Sequence, residues 1–194
     1  MLIRKATIED IPTLERLIPE SARGLSAGYY TSEQIEAAIV HVFGVDTQLI
    51  LDGTYFVAEM EGRIVGCGGW SKRRTLYGGD QMKSTIDPLL DAETEPARIR
   101  AFFIDPQWAR RGIGSQIIKT CEEAARDAGF SALDLVATLP GEPLYKAFGY
   151  EVVERFDIDL PDDVMLPLAR MRKHIAMQEK VCSDSLSGKK SNEI

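Results

Sequence analysis

The feature that most constrains the fold of this chain is a strand, a glycine-containing turn and a long helix, which follow one another near its middle. Residues 99–104 are apolar enough to form a buried strand, which ends at Asp105-Pro106. Residues 112–128 carry apolar side chains on one helical face, and Gly129 is a natural C-terminal cap. This succession is typical of α/β domains, in which an amphipathic helix covers a sheet.

The turn between this strand and this helix is suited to bind an anion. It consists of Arg110, Arg111, Gly112, Ile113, Gly114 and Ser115. The start of a helix offers free backbone N–H groups and positive potential, and glycine lets a phosphate approach the backbone closely. The arginines add positive charge. A tight turn without a ligand is the plainer interpretation, but the flanking strand and helix favour phosphate binding.

A dinucleotide-binding Rossmann unit is the main alternative for this block. Asp134 lies about twenty residues beyond the glycines, where such a unit places a ribose-binding carboxylate. Against it, Ile117 occupies the position of the third glycine, and seven residues separate Ile104 from Gly112 where a Rossmann turn is tight. A Walker P-loop is excluded because no Gly-Lys-Ser/Thr follows the glycines.

The remaining segments predict further strands and helices around this block. Alternating or continuous apolar residues predict strands at Leu2–Lys5, Tyr55–Met60, Arg63–Ser71, 133–136, 150–156 and 165–173. Helices are predicted from Ile11 to Pro19, from Thr31 or Ser32 onward, and over residues 143–148. Residues 72–95 have no periodicity, and a loop of that length is more typical of a binding or lid element than of a connection.

Composition places these elements in a globular protein that is not membrane-bound. The 194 residues predict one domain over residues 1–176 and a polar, disordered tail over residues 177–194. No stretch approaches the roughly 18 consecutive apolar residues of a membrane span, and the N-terminal residues lack the apolar region of a signal peptide. We therefore expect a cytoplasmic protein without a membrane partner.

Charge and cysteine content narrow the classes of partner. The 30 acidic residues outnumber the 23 basic ones, for a net charge of −7, which argues against nucleic acid as a partner. Three cysteines and two histidines show no metal-ligand spacing, so we expect neither a metal site nor a disulfide framework.

With these elements in order, the chain resembles the GNAT superfamily of acyl-CoA-dependent N-acetyltransferases over about residues 1–173. The similarity rests on the order β-α-α-β-β-β-α-β-α-β-β, on the segment 105–115 after the fourth strand, and on residues 144–150, which are similar to an L-Y-x-x-x-G-F passage. It implies an α/β fold: a mixed, mostly antiparallel central sheet of about seven strands flanked by about four helices. The fourth and fifth strands would splay apart.

The resemblance also implies acetyl-CoA as the cosubstrate and assigns roles to matching positions. The pyrophosphate would be bound by Arg110, Arg111, Gly112, Ile113, Gly114 and Ser115. The backbone of Phe102, Phe103 and Ile104 would pair with the pantetheine arm in the manner of an extra strand, and Tyr145 would lie beside the thioester sulfur as the catalytic residue.

The sequence identifies the catalytic base and the residues that bind the amine acceptor less clearly than it identifies the cosubstrate site. Residues 97–100 carry no carboxylate where some family members have a catalytic glutamate, which leaves a chain of water molecules or a carboxylate elsewhere as the base. The carboxylates considered are Glu33, Glu59 and Asp80. We predict Tyr30, Trp70 and Arg100 as substrate residues, although an arginine on a strand is as readily explained by an ion pair with Asp or Glu.

The predicted function is therefore transfer of the acetyl group of acetyl-CoA to a primary amine of a small molecule or peptide, by direct attack in a ternary complex. Two alternatives stay open at this point: an acyl-CoA-binding or sensing domain without catalysis, and an NAD-dependent oxidoreductase. The sequence is also compatible with a homodimer.

Overall fold

Seven strands form one sheet in the computed structural model, which describes residues 1–83, 85 and 87–176. The strands are β1 (Leu2–Lys5), β2 (Tyr55–Met60), β3 (Arg63–Ser71), β4 (Ala97–Ile104), β5 (Ala132–Thr138), β6 (Glu151–Leu160) and β7 (Val164–His174). The α-helices are α1 (Ile11–Ser26), α2 (Ser32–His41), α3 (Thr47–Leu51), α4 (Ile113–Asp127) and α5 (Glu142–Ala147). The sheet order β1-β2-β3-β4-β5-β7-β6 is antiparallel except between β4 and β5, which confirms the predicted fold class.

The β4–β5 pair separates soon after it begins. The two strands are paired only at Ala97 with Leu133 and at Arg98 with Asp134. Beyond that point β4 continues to Ile104 beside β3, and β5 pairs along its length with β7. The result is the predicted splay between the fourth and fifth strands, which opens a gap in the middle of the sheet.

Helices cover both faces of the sheet, as the alternation of strand side chains requires. On β2, Phe56 and Ala58 belong to the core beneath α4, while Tyr55 and Val57 belong to the core beneath α1 and α3. α2 packs on that second face against β6 and β7. α4 buries one apolar side at a spacing of four residues, formed by Ile113, Ile117, Cys121 and Ala125.

Two features differ from the sequence prediction. α1 continues through Pro19 to Ser26, because proline removes only one backbone donor while the apolar side of the helix stays buried on both sides of it, at Leu14 and Ala22. α3 was not predicted, because five residues are too few to show a helical period.

The long segment between β3 and β4 is fixed to the rest of the fold. The amide of Gly79 donates to the carbonyl of Val42 at 3.0 Å, and the amide of Asp80 donates to the carbonyl of Val45 at 2.9 Å. The Arg73 guanidinium pairs with Asp52 at 2.7 Å. These bonds hold residues 72–80 against the segment that follows α2 and against the end of α3.

The predicted tail, residues 177–194, lies outside the described residues, so the end of the domain at residue 176 stays a prediction. No helix within the described range combines the length and the apolar character that crossing a membrane requires.

Candidate active site

A cavity of about 800 Å³ occupies the gap between β4 and β5 and reaches both faces of the sheet. On one face it is lined by the start of α4 and by α5, and on the other by α1, the end of α2 and residues 76–78. β4 contributes residues 99–104 along its length. A cavity that crosses the sheet can admit two molecules from opposite faces, which suits a two-substrate reaction.

The N-terminus of α4 opens into this cavity. Gly112 is the N-cap with φ of 79°, and its carbonyl accepts the first helical hydrogen bond from Gln116 at 3.0 Å. Since Gly112 has no side chain to cap the helix, the amides of the first turn point outward, and Ile113, Gly114 and Ser115 line the cavity. Glycine is favoured at position 112, because a left-handed backbone costs other residues about 1–2 kcal/mol.

The two arginines of this turn have different places. Arg110, with φ of 64°, lines the cavity and supplies positive charge beside the start of α4. Arg111 does not line it; the guanidinium carbon lies 4.8 Å from the centre of the Trp108 ring. The predicted pyrophosphate residues are therefore brought together except for Arg111, which stacks on the outer side of the turn.

The three β4 residues predicted to pair with pantetheine are not equivalent. Asp105 donates its amide to the carbonyl of Val65 at 2.9 Å, so Phe103, two residues earlier, also directs its backbone toward β3. Ile104 directs its backbone into the gap, where its amide donates to Ser21 Oγ at 2.9 Å. Only Phe102 and Ile104 thus remain candidates for contact with pantetheine, and Ile104 offers its carbonyl.

A β-bulge lies in the part of β4 that borders the cavity. Ala101 has φ of 56°, and the register with β3 shifts between Cys67 and Gly69. The buried hydroxyl of Tyr55 donates to the carbonyl of Ala101 at 2.9 Å. Backbone strain of this kind is found at functional sites, where surrounding contacts maintain it.

Tyr145 presents a phenol to the cavity from α5. It is 7% exposed, and its ring packs edge-on against Phe102 and Tyr150 at centroid distances of 6.0 and 5.9 Å. Burial raises the pKa of the Tyr145 hydroxyl well above its ordinary value, so the group is protonated at neutral pH.

The predicted acceptor residues are mostly structural. Tyr30 donates its hydroxyl to the carbonyl of Pro167 at 2.7 Å and accepts from the amide of Leu139 at 2.9 Å. Trp70 is buried with its ring centroid 6.0 Å from that of Phe130. Neither residue is among the described residues that line the cavity, so we do not retain them as substrate residues.

Arg100 does line the cavity, but its charge is already paired. Its guanidinium lies 2.9 Å from the buried carboxylate of Asp46 and donates to the carbonyl of Gly78. The aromatic side chains that do line this end are those of Tyr29, Phe43 and Tyr77. Sequence reasoning missed Phe43 and Tyr77, which lie in segments without a recognisable pattern.

The carboxylates considered as bases lie elsewhere. Glu59 pairs with Arg4 at 2.7 Å, and Asp80 accepts from the amide of Thr47 at 3.1 Å. Glu33 is exposed in the first turn of α2. Among the described residues that line the cavity there is neither Asp nor Glu.

The Rossmann interpretation of Asp134 is wrong. The sheet is mostly antiparallel rather than doubly wound and parallel. Asp134 is fully buried, and its carboxylate contacts three guanidinium groups: Arg98 at 3.2 Å, Arg170 at 2.7 Å and Arg172 at 2.6 Å. It is a structural ion-pair centre, out of reach of a ribose.

Comparisons with known proteins agree with this geometry. A crystal structure of a GCN5-related N-acetyltransferase from Rhodopseudomonas palustris has a TM-score of 0.66 at 20% identity, covering 90% of this chain and 95% of that one. The PaiA N-acetyltransferase of Thermoplasma acidophilum, in complex with coenzyme A, has a TM-score of 0.60 at 18% identity, covering 90% and 98%. The ribosomal-protein-alanine N-acetyltransferase of Brucella melitensis has 0.60 at 18%, covering 90% and 100%.

At these identities the structural matches show the fold, and the sequence match shows the family. No curated protein matches the chain. Residues 22–150, more than half of the chain, match the acetyltransferase (GNAT) family, and this span includes the turn at residues 110–115 and Tyr145. The chain therefore belongs to the GNAT acetyltransferase family.

Proposed function

We propose that the protein transfers the acetyl group of acetyl-CoA to a primary amine of a small molecule or peptide, by direct attack in a ternary complex. The observation that carries this proposal is a single cavity through the sheet that contains both the exposed N-terminus of α4 and Tyr145. The presence of coenzyme A in the Thermoplasma acidophilum structure supports acetyl-CoA as the cosubstrate.

The residues present fit a nucleotide pyrophosphate and a pantetheine arm. The amides of Ile113, Gly114 and Ser115 at the start of α4 would bind the pyrophosphate, with Arg110 beside them, because anions bind favourably at helix N-termini. The carbonyl of Ile104 would accept from an amide of the pantetheine arm, and Phe102 would pack against it.

Acetyl transfer requires this chain chiefly to position the two substrates and to transfer protons. The amine nitrogen forms a bond to the thioester carbon, and the carbon–sulfur bond breaks. Tyr145 donates its proton to the departing sulfur, and the proton lost by the amine restores the phenol through solvent. A solvent route for the amine proton is consistent with the lack of Asp and Glu among the described lining residues.

A binding and turnover experiment tests this proposal. Acetyl-CoA should raise the melting temperature and NAD should not, because Asp134, the carboxylate at the sequence spacing of a ribose ligand, is already paired with Arg170 and Arg172. Release of free thiol from acetyl-CoA should then depend on an added primary amine. Stabilisation without thiol release for any amine would support the alternative of an acyl-CoA-binding or sensing domain.

A further inference from the structure

The part of the cavity on the face opposite α4 is lined by different kinds of side chain from the part beside α4. We call it the acceptor chamber and define it by Ala22, Leu25, Tyr29, Val42, Phe43 and Tyr77. These residues come from α1, the α1–α2 connection, the end of α2 and the segment after β3. The chamber reaches Tyr145 through the gap between β4 and β5, so a nucleophile that enters here meets a thioester held from the α4 side.

The six side chains that define the acceptor chamber are aliphatic or aromatic, and Ser21, Ser26 and Arg100 also line this face of the cavity. The ring of Phe43 packs edge-on against that of Phe103 at 5.8 Å, and the ring of Tyr77 lies 6.3 Å from that of Phe156. The backbone of Gly79 is bonded to Val42, which holds the two walls together. Fixed aromatic surfaces favour a flat or branched apolar body over a strongly hydrated chain.

The charges around the cavity exclude a second cation on the acceptor. Among the described lining residues the charged side chains are those of Arg100 and Arg110, and both are cationic. The carboxylate of Asp46, which contacts Arg100 behind the lining, is fully buried and is paired with Arg100 and Lys83. An additional ammonium group that leaves water for the chamber would therefore find no free carboxylate among the described lining residues, which is unfavourable.

We propose that the acceptor is a primary monoamine with an aromatic or branched apolar body, and not a diamine or polyamine. This inference rests on the proposed function and specifies its substrate class. An apolar chamber also lowers the pKa of the bound amine, which favours the neutral form that attacks the thioester. The same chamber therefore selects the substrate and helps to deprotonate it.

A substrate panel tests the class directly. With saturating acetyl-CoA and the full chain, kcat/KM for 2-phenylethylamine should exceed that for 1,4-diaminobutane and for spermidine at least tenfold. Along ethylamine, butylamine and hexylamine, kcat/KM should rise by up to about fourfold for each methylene, the equivalent of about 0.8 kcal/mol. Equal or greater activity with spermidine overturns the proposal while leaving the acetyltransferase function intact, whereas no thiol release with any amine contradicts the proposed function itself.

A pair of variants tests whether the chamber is responsible. Tyr29 lines the cavity and is 53% exposed, so substitution there is compatible with folding. Tyr29→Glu supplies the missing carboxylate, and Tyr29→Gln is a matched control of similar size without charge. The ratio of kcat/KM for spermidine to that for 2-phenylethylamine should be at least tenfold higher in Tyr29→Glu than in Tyr29→Gln, because both variants lose the ring and only the first gains a negative charge. An equal ratio in the two variants shows that the acceptor lies elsewhere and refutes the proposal.

Discussion

Replacing Gly114 by alanine separates acetyl-CoA binding from folding at the start of α4. Gly114 is the second residue of the helix and lines the cavity. A Cβ atom built there lies 3.1 Å from Leu144 Cδ2, the end of a flexible side chain that can move by a few tenths of an ångström. Alanine is favoured over glycine in helices by up to about 1 kcal/mol, so the unliganded variant should be as stable as the wild type to within about 1 kcal/mol.

Binding should respond differently from folding, because the added methyl group lies beside the amides expected to hold the pyrophosphate. We expect the Kd for acetyl-CoA to rise at least tenfold, which corresponds to about 1.4 kcal/mol. At 100 times the wild-type Kd, acetyl-CoA stabilises the wild type by about 2.7 kcal/mol, and a tenfold weaker variant retains about 1.4 kcal/mol. For a chain of this size these values correspond to increases in Tm of roughly 5–11 °C and roughly 3–6 °C.

The matched control is Gly112→Ala, in which stability without ligand should fall. A Cβ at Gly112 meets nothing within 4 Å, but φ there is +79°. Alanine in that backbone conformation costs about 1–2 kcal/mol, so the variant should melt lower without any ligand. Thermal melts of both variants with and without acetyl-CoA, together with calorimetric titration, measure the two effects. Wild-type affinity in Gly114→Ala would refute the placement of the pyrophosphate at this turn.

Three further predictions concern catalysis and stability. Tyr145→Phe should lower kcat by roughly 10- to 1,000-fold with little change in acetyl-CoA affinity, measured where the chemical step limits the rate; an unchanged kcat would remove the phenol from the mechanism. Hydrogen bonds from the Arg155 guanidinium and, to a smaller extent, from Lys146 lower the pKa of Glu142 from 4.5 to about 2. The stability that ionised Glu142 contributes should thus be complete above pH 4.5 and be lost as the pH falls toward 2. Urea unfolding across this pH range should show a smaller loss of stability in Glu142→Gln than in the wild type. Asp134→Asn should cost about 3 kcal/mol in urea unfolding, because the largely buried guanidinium group of Arg98 and the half-buried ones of Arg170 and Arg172 lose their counterion.

The elements predicted correctly are those whose signal is local in the sequence. The turn at Glu61 and Gly62, with φ of 52° and 74°, fixes the β2–β3 hairpin, and Thr31 caps α2 by accepting from the amide of Gln34. α4 has an uninterrupted apolar side and a glycine at each end. Pro19 was misleading, because the cost of one lost hydrogen bond is local whereas the burial that sustains α1 depends on tertiary packing.

The same distinction between local and tertiary signals applies to the candidate site. The turn at residues 110–115 is contiguous, so its glycines could be recognised, whereas the position of Arg111 against Trp108 depends on packing that no spacing reports. Residue type alone suggested Trp70, but β3 directs this side chain into the core beneath α4. The walls formed by Phe43 and Tyr77 come together only because residues 72–80 dock on the end of α2.

Asp134 is not placed to bind a ribose, but it lies at the edge of the gap between β4 and β5, as the centre of an ion-pair cluster. Its spacing from the glycines suggested a ribose ligand, yet it forms the last β4–β5 pair, opposite Arg98. Burial raises the pKa of this carboxyl group, but hydrogen bonds from Arg172 and Arg170 outweigh that effect and lower the pKa below its ordinary value. The carboxylate therefore stays ionised and holds an arginine of β4 and two of β7 at one point. Because β4 and β5 part immediately beyond this cluster, the cluster lies where the gap that contains the cavity begins.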